Sequence, residues 1–367
     1  MGTDNIMTFD MGGTTAKASM IEGGELLRAQ EYEVGGGMSA GHRLLKGSGY
    51  ILRVPAIDLA EVSSGGGSIA WVDRGGALQS GPQSSGAIPG PVCYGKGGTE
   101  PTVTDANVVL GYLNPDHLLG GAFPIDAGAA RSALTEKIGK PLGLSDTEAA
   151  RGIHILVNSN MGRALRAVSS ERGRDPRRFT LLAFGGGGPI HATGLADMLG
   201  ISRVVVPPSP GVFSAFGLLF ADIEHHFVRT HFKAFSDMDF TEANSILTTL
   251  LEEGRKLLRA EGFKNTRMQL TTQADIKYVG QTSELTVHMG HKIFSEEAIQ
   301  SLHQNFQIEH EKTYGYTVDD PLQLVNIRVI ARGMSKNSRI PETITPTPPN
   351  EITESISRPV FFANNYG

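Results

Sequence analysis

The hydrophobic pattern at the start of the chain alternates short apolar runs with glycine-rich turns. Ile6–Phe9 predicts a short buried strand that runs into the turn Asp10–Thr15, and Ala16–Ile21 predicts a second strand. A nucleotide loop of the Walker type would instead open a helix. The pattern therefore predicts a glycine turn between two strands.

Longer periodicities follow further along the chain. Thr102–Leu113 resembles a helix start, with Thr104 or Asp105 as the candidate N-cap. Apolar residues at helical spacing predict a helix over Ser145–Arg172, which begins with a capping box. The remaining predicted elements are strand Phe179–Phe184, turn Gly185–Gly188, helix Pro189–Leu199, strand 204–206, helix Phe240–Gly262, strands Ala274–Val279 and Glu284–His288, helix Ser295–Tyr314, strand Val325–Ala331 and a linker over 341–350.

Length and composition narrow the class of protein. A chain of 367 residues predicts at least two packed units, and a net charge of -5 gives no reason to expect nucleic acid. The single cysteine, Cys93, excludes an internal disulfide and is typical of a reducing compartment, so we expect a cytoplasmic protein. No apolar stretch is long enough to cross a bilayer.

The 46 glycines are clustered, which indicates turns where the backbone approaches a ligand or another backbone. In the first cluster, Gly12 and Gly13 would let backbone N–H groups reach phosphate oxygens. Thr14 and Thr15 add hydroxyl donors, and Asp10 is the candidate ligand of a metal or of its bound water. The alternative is a plain hairpin.

Two further glycine clusters suit an anion or a nucleotide. Gly185, Gly186, Gly187 and Gly188 stand between a strand and a helix, where the helix N-terminus favours an anion. Gly65, Gly66 and Gly67 form a second candidate loop, although such runs also mark tight turns. For His191, which follows the first of these clusters, a hydrogen-bonded structural role is the favoured interpretation.

Two other residues carry competing interpretations. Asp105 is either a metal ligand or general base, or simply part of a helix cap. Cys93 is either a nucleophile or a small buried thiol, and the second is favoured because no activating base lies near it in sequence.

Several ordered strings together resemble the hydantoinase A/5-oxoprolinase family, which includes N-methylhydantoinase-type enzymes and subunits of acetone and acetophenone carboxylases. The matching strings are FDMGGTT (9–15), GGGSIA (65–70), GAIPG (86–90), CYGKGG (93–98), PTVTDANVVL (101–110), FGGGGPIH (184–191), PGVFSAFGL (210–218) and YVGQ (278–281).

The resemblance implies an α/β fold, an actin-like ATPase half of the sugar kinase/actin/heat-shock chaperone type, plus a C-terminal α+β portion. We expect the nucleotide-binding domain over 1–230, the α+β domain over 231–340 and a linker or extended tail over 341–367. In this family, ATP with Mg²⁺ phosphorylates a carbonyl oxygen of the substrate, with Asp10 and Asp105 here as the matching catalytic candidates.

Two departures qualify this resemblance. The family's longer members carry an earlier domain with its own Asp-x-Gly-Gly-Thr loop, so we expect this chain to lack that domain or to be completed by a partner subunit. Lys17 stands where many ring-opening relatives have Asp, and together with the segment around Glu61 it looks more like the hydantoinase and carboxylase branch.

The sequence therefore predicts part of an ATP-dependent hydrolase of small cyclic amides. The alternatives are a subunit of an ATP-dependent ketone carboxylase and a non-catalytic nucleotide-binding subunit. We expect no nucleic-acid or membrane partner, and a homo-oligomer stays open.

Overall fold

A computed structural model describes residues 3–29, 32–34, 38–39, 50–52, 56–116, 118–334 and 357–362. These residues fall into two compact units. The first lies within Met1–Glu171, Asp175–Ala215 and Thr345–Gly367, and the second within Arg172–Arg174 and Phe216–Ile344. The division follows Ala215, whereas the sequence placed it at residue 230. The reason is that the strand starting at Ile223 pairs within the second unit.

The first unit is built around a mixed sheet. Its described strands are β1 (Ile6–Met11), β2 (Ala16–Glu22), β3 (Glu25–Leu26), β4 (Arg28–Ala29), β5 (Tyr32–Val34), β6 (Met38–Ser39), β7 (Tyr50–Leu52), β8 (Ala56–Ile57), β9 (Leu59–Val62), β10 (Ser68–Val72), β11 (Leu78–Ser84), β12 (Thr180–Phe184) and β13 (Val204–Val205). The main sheet has the order β13-β12-β1-β2-β9-β6, and β3 pairs with β2. β1 runs parallel to β12 and antiparallel to β2. The turn after β1 and the turn after β12 therefore lie at the same edge of the sheet, the one formed by the C-terminal ends of these two strands.

Helices cover this sheet. They are α1 (Val103–Val109), α2 (Ala127–Leu134), α3 (Lys140–Leu142), α4 (Asp146–Val168), α5 (Gly188–Leu199) and α6 (Phe213–Leu218), and a π-helical turn over Thr135–Gly139 joins α2 to α3. The core contains Phe9 of β1 and Ile153, Val157 and Met161 of α4, all almost completely buried. Burial alternates along β1, as expected for a strand with one face on the core.

The predicted capping box of α4 is confirmed, since Ser145 and Glu148 bond reciprocally. The predicted N-cap of α1 is wrong. Thr102, and not Thr104 or Asp105, is the N-cap, and its side chain accepts from the N–H of Asp105. The Asp105 side chain accepts in return from the backbone of Thr102. The sequence Thr102-x-x-Asp105 therefore forms the capping box itself.

The second unit is an antiparallel sheet with two long helices. Its strands are β14 (Ile223–Ala234), β15 (Met268–Tyr278), β16 (Leu285–His288) and β17 (Leu322–Gly333), in the order β14-β17-β15-β16. The helices are α7 (Phe240–Ala260) and α8 (Glu296–Tyr314). Their apolar faces, with Leu247, Leu250, Leu302 and Phe306, form one core with β15 to β17. β14 was not predicted, because its mostly polar sequence lacks a clear apolar alternation.

The predicted linker at 341–350 lies outside the described residues. Of the expected tail, only residues 357–362 are described, and they contact α1: the Phe361 N–H donates to Leu110 O at 2.9 Å, and the Arg358 guanidinium donates to Gly111 O. In the described parts of the chain, no helix is both long and apolar enough to span a membrane.

Candidate functional site

The loop between β1 and β2 presents unpaired backbone donors. The Gly12 N–H donates to Thr15 O at 3.0 Å, which closes the turn. The N–H groups of Gly13 and Thr14 have no acceptor among the described residues. Gly12, Gly13 and Thr14 are exposed and Thr15 is half-buried. This edge of the sheet therefore offers backbone donors to an anion.

The loop Gly65–Gly67 packs directly on this turn. The Gly66 N–H donates to Gly12 O at 3.0 Å, and the Gly67 N–H donates to Gly13 O at 2.6 Å. A Cβ at Gly65 would collide with the backbone of Gly13 and Thr14. Only glycine allows so close an approach of two main chains, so this loop supports the β1–β2 turn from behind.

Helix α1 holds the supporting loop in place. Both the backbone N–H and the Oγ1 of Thr104, in the first turn of α1, donate to Gly66 O at 2.8 Å. A Cβ at Gly66 would lie against Thr104 Oγ1. The β1–β2 turn, the Gly65–Gly67 loop and the start of α1 therefore form one hydrogen-bonded stack.

The loop Gly185–Gly188 joins the same edge from the other side. The Gly187 N–H donates to Met11 O, and the Gly185 N–H donates to Pro210 O, both at 2.9 Å. Gly185 has a φ of 81°, and a Cβ there would collide with Asp10 Oδ1 and the backbone of Met11. The exposed Gly186 N–H has no acceptor in the described part of the chain. The three glycine loops predicted from sequence are thus brought together at one edge.

Asp10 lies at the centre of this edge. Its side chain is half-buried, and Oδ2 accepts from Ser214 Oγ at 2.8 Å. Oδ1 accepts no hydrogen bond within the described residues, so one oxygen is free to coordinate. Sequence reasoning assigned no role to Ser214 or Pro210, although both belong to the string PGVFSAFGL that carried part of the resemblance.

Asp105 has very different surroundings. It is completely buried. Its Oδ2 accepts from the Thr102 N–H and Oγ1 at 2.8 Å and from the Val92 N–H at 3.2 Å, and its Oδ1 accepts from the Cys93 N–H at 2.8 Å. These are the contacts of a structural cap that ties the turn at 92–94 to α1. They favour the capping interpretation and give no support to a catalytic role.

A buried polar network connects the helices behind the loops. His191 of α5 contacts Asn158 Oδ1 through Nδ1 at 2.7 Å and Asn107 Nδ2 through Nε2 at 3.2 Å. His154 Nδ1 contacts Asn107 Oδ1 at 2.9 Å, and the two imidazoles stack at 4.4 Å. With Asn107 donating to His191 Nε2, His191 must be neutral and donate from Nδ1 to Asn158. The expected structural role of His191 agrees with these contacts.

Burial controls the protonation of both histidines. It lowers the pKa of His154 to about 4. It also lowers the pKa of His191 well below its usual value, with a further contribution from the neighbouring His154. Both rings are therefore neutral near pH 7, as the hydrogen-bond network requires.

Cys93 and Lys17 have very different surroundings. Cys93 is buried. Burial, and to a smaller extent the nearby Asp105, raises the pKa of its thiol far above the ordinary value. This agrees with the interpretation of Cys93 as a small buried thiol and not as a nucleophile. Lys17 faces Asp10 across the β1–β2 pair and forms an ion pair with Glu61 at 3.6 Å. Residues directly opposite in such a pair share a sheet face, so Lys17 adds a positive charge beside the candidate site.

This arrangement suits a nucleotide phosphate with Mg²⁺. Mg²⁺ in phosphate sites takes one or two carboxylates and completes its shell with water and phosphate oxygens. Asp10 supplies one such carboxylate, and Gly13, Thr14 and Gly186 supply backbone donors. Among the described residues, no group of three or more His, Cys, Asp or Glu side chains is arranged to hold a metal ion.

Comparison with known proteins identifies relatives of the whole chain. Residues 1–227 match the family model described as Hydantoinase/oxoprolinase. An uncharacterized protein of Methanocaldococcus jannaschii is 45% identical over 335 residues, which cover 91% of this chain and 47% of that protein. The caprolactamase subunit alpha of Pseudomonas jessenii is 36% identical over 365 residues, 98% of this chain and 51% of that one.

Solved structures show the same relationship. The crystal structure of the ATP-dependent caprolactamase from Pseudomonas jessenii matches with a TM-score of 0.79 at 37% identity, over 94% of this chain and 49% of that one. An acetone carboxylase structure matches with a TM-score of 0.64 at 26% identity, over 91% and 47%. The α/β fold of an actin-like ATPase half is confirmed. The chain spans about half the length of the curated relatives it matches first.

Proposed function

This chain belongs to the hydantoinase/oxoprolinase family, and we propose that it forms the phosphate-binding part of an ATP-dependent hydrolase of cyclic amides. The observation that carries the proposal is the junction of three glycine loops around Asp10. That junction leaves the N–H groups of Gly13, Thr14 and Gly186 and one carboxylate oxygen available to a ligand. The alignment with an ATP-dependent caprolactamase supports ATP as that ligand.

Each group at the junction has a definite task in phosphoryl transfer. The backbone N–H groups of Gly13 and Thr14 would donate to phosphate oxygens, and Asp10 would hold Mg²⁺ or one of its waters. Mg²⁺ neutralises charge on the transferring phosphoryl group when it is bound. Ser214 fixes the rotamer of Asp10 through Oδ2, which directs Oδ1 toward the ligand. Positioning and charge neutralisation are the main contributions that a protein makes to this chemistry.

The activated group is a ring carbonyl. The carbonyl oxygen attacks the γ-phosphorus of ATP, the bond from that phosphorus to the β–γ bridging oxygen breaks, and ADP leaves. The phosphorylated carbon then takes up one water, and the ring C–N bond breaks as the nitrogen gains a proton and leaves, which gives an open-chain acyl phosphate. A second water hydrolyses this acyl phosphate to phosphate and the linear amino acid.

The open face of the β1–β2 turn bears on how the site is completed. Actin-like folds enclose the nucleotide between two halves, and the exposed face of the β1–β2 turn is the surface that a second half would cover. We propose that another domain or a partner subunit supplies it, as the subunit name of the caprolactamase relative suggests. An ATP-dependent reaction and a single unpaired cysteine suit the cytoplasm.

The test uses the complete protein that contains this chain. ATP hydrolysis is measured with ε-caprolactam, 5-oxoproline, hydantoin and N-methylhydantoin, and separately with acetone plus bicarbonate. We expect hydrolysis that depends on at least one cyclic amide and produces its ring-opened acid. No ring-dependent hydrolysis with any of these amides would contradict the proposal.

A ketone carboxylase is the second candidate, supported by the acetone carboxylase structure. Its lower TM-score, 0.64 against 0.79 for the caprolactamase, places it second. Nucleotide hydrolysis that requires both acetone and bicarbonate would establish this alternative. Nucleotide binding without turnover under any of these conditions would indicate a non-catalytic subunit.

A further inference from the structure

The second unit contains a cavity of about 520 Å³ that the proposed hydrolase chemistry does not use. One wall is α7, the floor is the N-terminal half of β15, and the other wall is the segment after β16 that includes His291 and Lys292. All of its lining residues belong to the second unit.

The wall formed by α7 carries a row of side chains at four-residue spacing. Leu251, Arg255 and Arg259 line the cavity. Residues four apart lie one above the other on a helix, so these three form a continuous stripe. The neighbouring stripe, with Leu250 and Leu258, is buried in the core. Packing of the core therefore fixes the rotation of α7 and points the arginine stripe into the cavity.

Part of the floor is apolar, although Thr271 and Thr272 of β15 also line the cavity. Met268 and Leu270 line the cavity and alternate along β15, so they stand on the same sheet face. Leu270 also packs against the core of the second unit. With Leu251 on the wall, these side chains form an apolar surface beneath the charged groups.

The charges of the lining are of one sign. Arg255, Arg259 and Lys292 line the cavity, and no Asp or Glu is among the described residues that do so. Arg259 Nε donates to Asn265 Oδ1 at 3.2 Å, which orients the guanidinium and leaves both Nη groups available. Arg255 and Lys292 have no hydrogen-bond or ion-pair partner within the described residues. Three cations thus converge on one cavity without a neutralising carboxylate.

We propose that this cavity binds a small organic anion. Its carboxylate or phosphate group lies between Arg255, Arg259 and Lys292, and its apolar body rests on Leu251, Met268 and Leu270. The planar guanidinium group matches both anions through paired hydrogen bonds. Because the two arginines are exposed, the affinity is moderate and falls as the salt concentration rises.

The test measures binding to the full chain by calorimetry at low ionic strength. The probes are phenyl phosphate, benzoate and inorganic phosphate. We expect phenyl phosphate or benzoate to bind more tightly than inorganic phosphate, because only the first two have an apolar body. Which of the two binds better distinguishes a phosphate from a carboxylate ligand.

Paired variants locate the binding site. Arg255→Gln with Arg259→Gln should weaken binding by about tenfold or more. The matched control, Lys233→Gln with Lys256→Gln, also removes two exposed positive charges but leaves the cavity lining unchanged, so it should alter affinity less than twofold. Equal weakening in both double variants would overturn the proposal, because it would show only a response to net charge.

Two further results would also overturn it. One is the absence of binding by all three probes to the unaltered chain. The other is binding of an acidic hexapeptide alone, which would make the cavity a protein-docking groove. None of these outcomes depends on cyclic amide hydrolysis, so failure here is separable from failure of the hydrolase proposal.

Discussion

Two aspartates of the first unit, Asp10 and Asp105, show how differently one residue type is used within a single unit. Asp105 is completely buried and accepts four hydrogen bonds, two from the N-cap of α1 and two from the turn at 92–94. Asp10 is half-buried, accepts one hydrogen bond from Ser214 and keeps one oxygen open at the edge with exposed backbone donors. The first arrangement stabilises the fold, and the second leaves capacity for a ligand.

The contrast also separates the two sequence strings that contain these aspartates. Both aspartates lie in strings that carry the resemblance, FDMGGTT and PTVTDANVVL. Their surroundings indicate that the second string supports the first, since Thr104 beside Asp105 holds Gly66, which in turn holds Gly12. Variants of the two strings should therefore fail in different ways.

Replacement of Asp105 should have the largest effect on stability. Asp105→Ala leaves the N–H groups of Val92, Cys93 and Thr102 without their acceptor, and those of Cys93 and Thr102 are buried. The substitution should lower the free energy of unfolding by about 3–5 kcal/mol. Asp10→Ala should lower the free energy of unfolding by less than about 1 kcal/mol, because Ser214, which donates to Asp10, is exposed.

Urea denaturation followed by tryptophan fluorescence measures this difference. Trp71, the only tryptophan, lies on β10 of the first unit and therefore reports the unfolding of that unit. Equal destabilisation by the two substitutions would remove the distinction between them.

Acidification should have the next largest effect, through the network behind α1. Burial lowers the pKa of His154 to about 4 and that of His191 in the same direction, so the unfolded chain binds protons at pH values where the folded chain does not. The contribution of the neutral histidines to the free energy of unfolding is fully present above a pH of about 6.5 and is lost as the pH drops toward 4. The slope of this loss is up to about 1.4 kcal/mol per pH unit for each histidine.

Urea midpoints at pH 7, 6 and 5 test this expectation above the range in which most carboxylates titrate. His154→Gln, which keeps a donor for Asn107 Oδ1, should lose about half of the slope. A midpoint that does not change between pH 7 and pH 5 would contradict neutral burial of the pair.

The smallest effect on stability is expected for the exposed ion pair beside Asp10. Lys17 and Glu61 pair at 3.6 Å with side chains 43% and 30% exposed, and such surface pairs contribute about 0–1 kcal/mol. Lys17→Ala should therefore shift the unfolding free energy by less than about 1 kcal/mol. A larger loss would show that the open edge around Asp10 is structurally constrained in the way that Asp105 is.

The sequence predicted most long elements because their periodicity is local. The sequence predicted the strand before Gly185, the helices α4, α5, α7 and α8, and strands at the positions of β15 and β16. β14 was missed because neither of its faces is predominantly apolar. The glycine clusters also identified the three loops, since close main-chain approach can be met only by glycine at positions such as Gly65 and Gly185.

Long-range contacts set the limit of that prediction. Ser214 lies 204 residues from Asp10 in sequence, and nothing local marks it as the partner of that carboxylate. The network of Asn107, His154, Asn158 and His191 draws its members from three helices. The arginine stripe of α7 lines a cavity only together with β15 and the segment after β16, and the local sequence of α7 does not mark those partners.

The proposed role of Asp10 and the β1–β2 turn is to bind Mg²⁺ and a nucleotide phosphate. Calorimetry of ATP binding to the complete protein, with and without Mg²⁺, tests it most directly. Asp10→Asn should weaken Mg²⁺-dependent ATP binding by about tenfold or more and leave metal-free binding nearly unchanged. Asp116→Asn, which alters an exposed carboxylate outside the glycine loops, should change neither. Unaltered Mg²⁺-dependent binding in Asp10→Asn would contradict the claim.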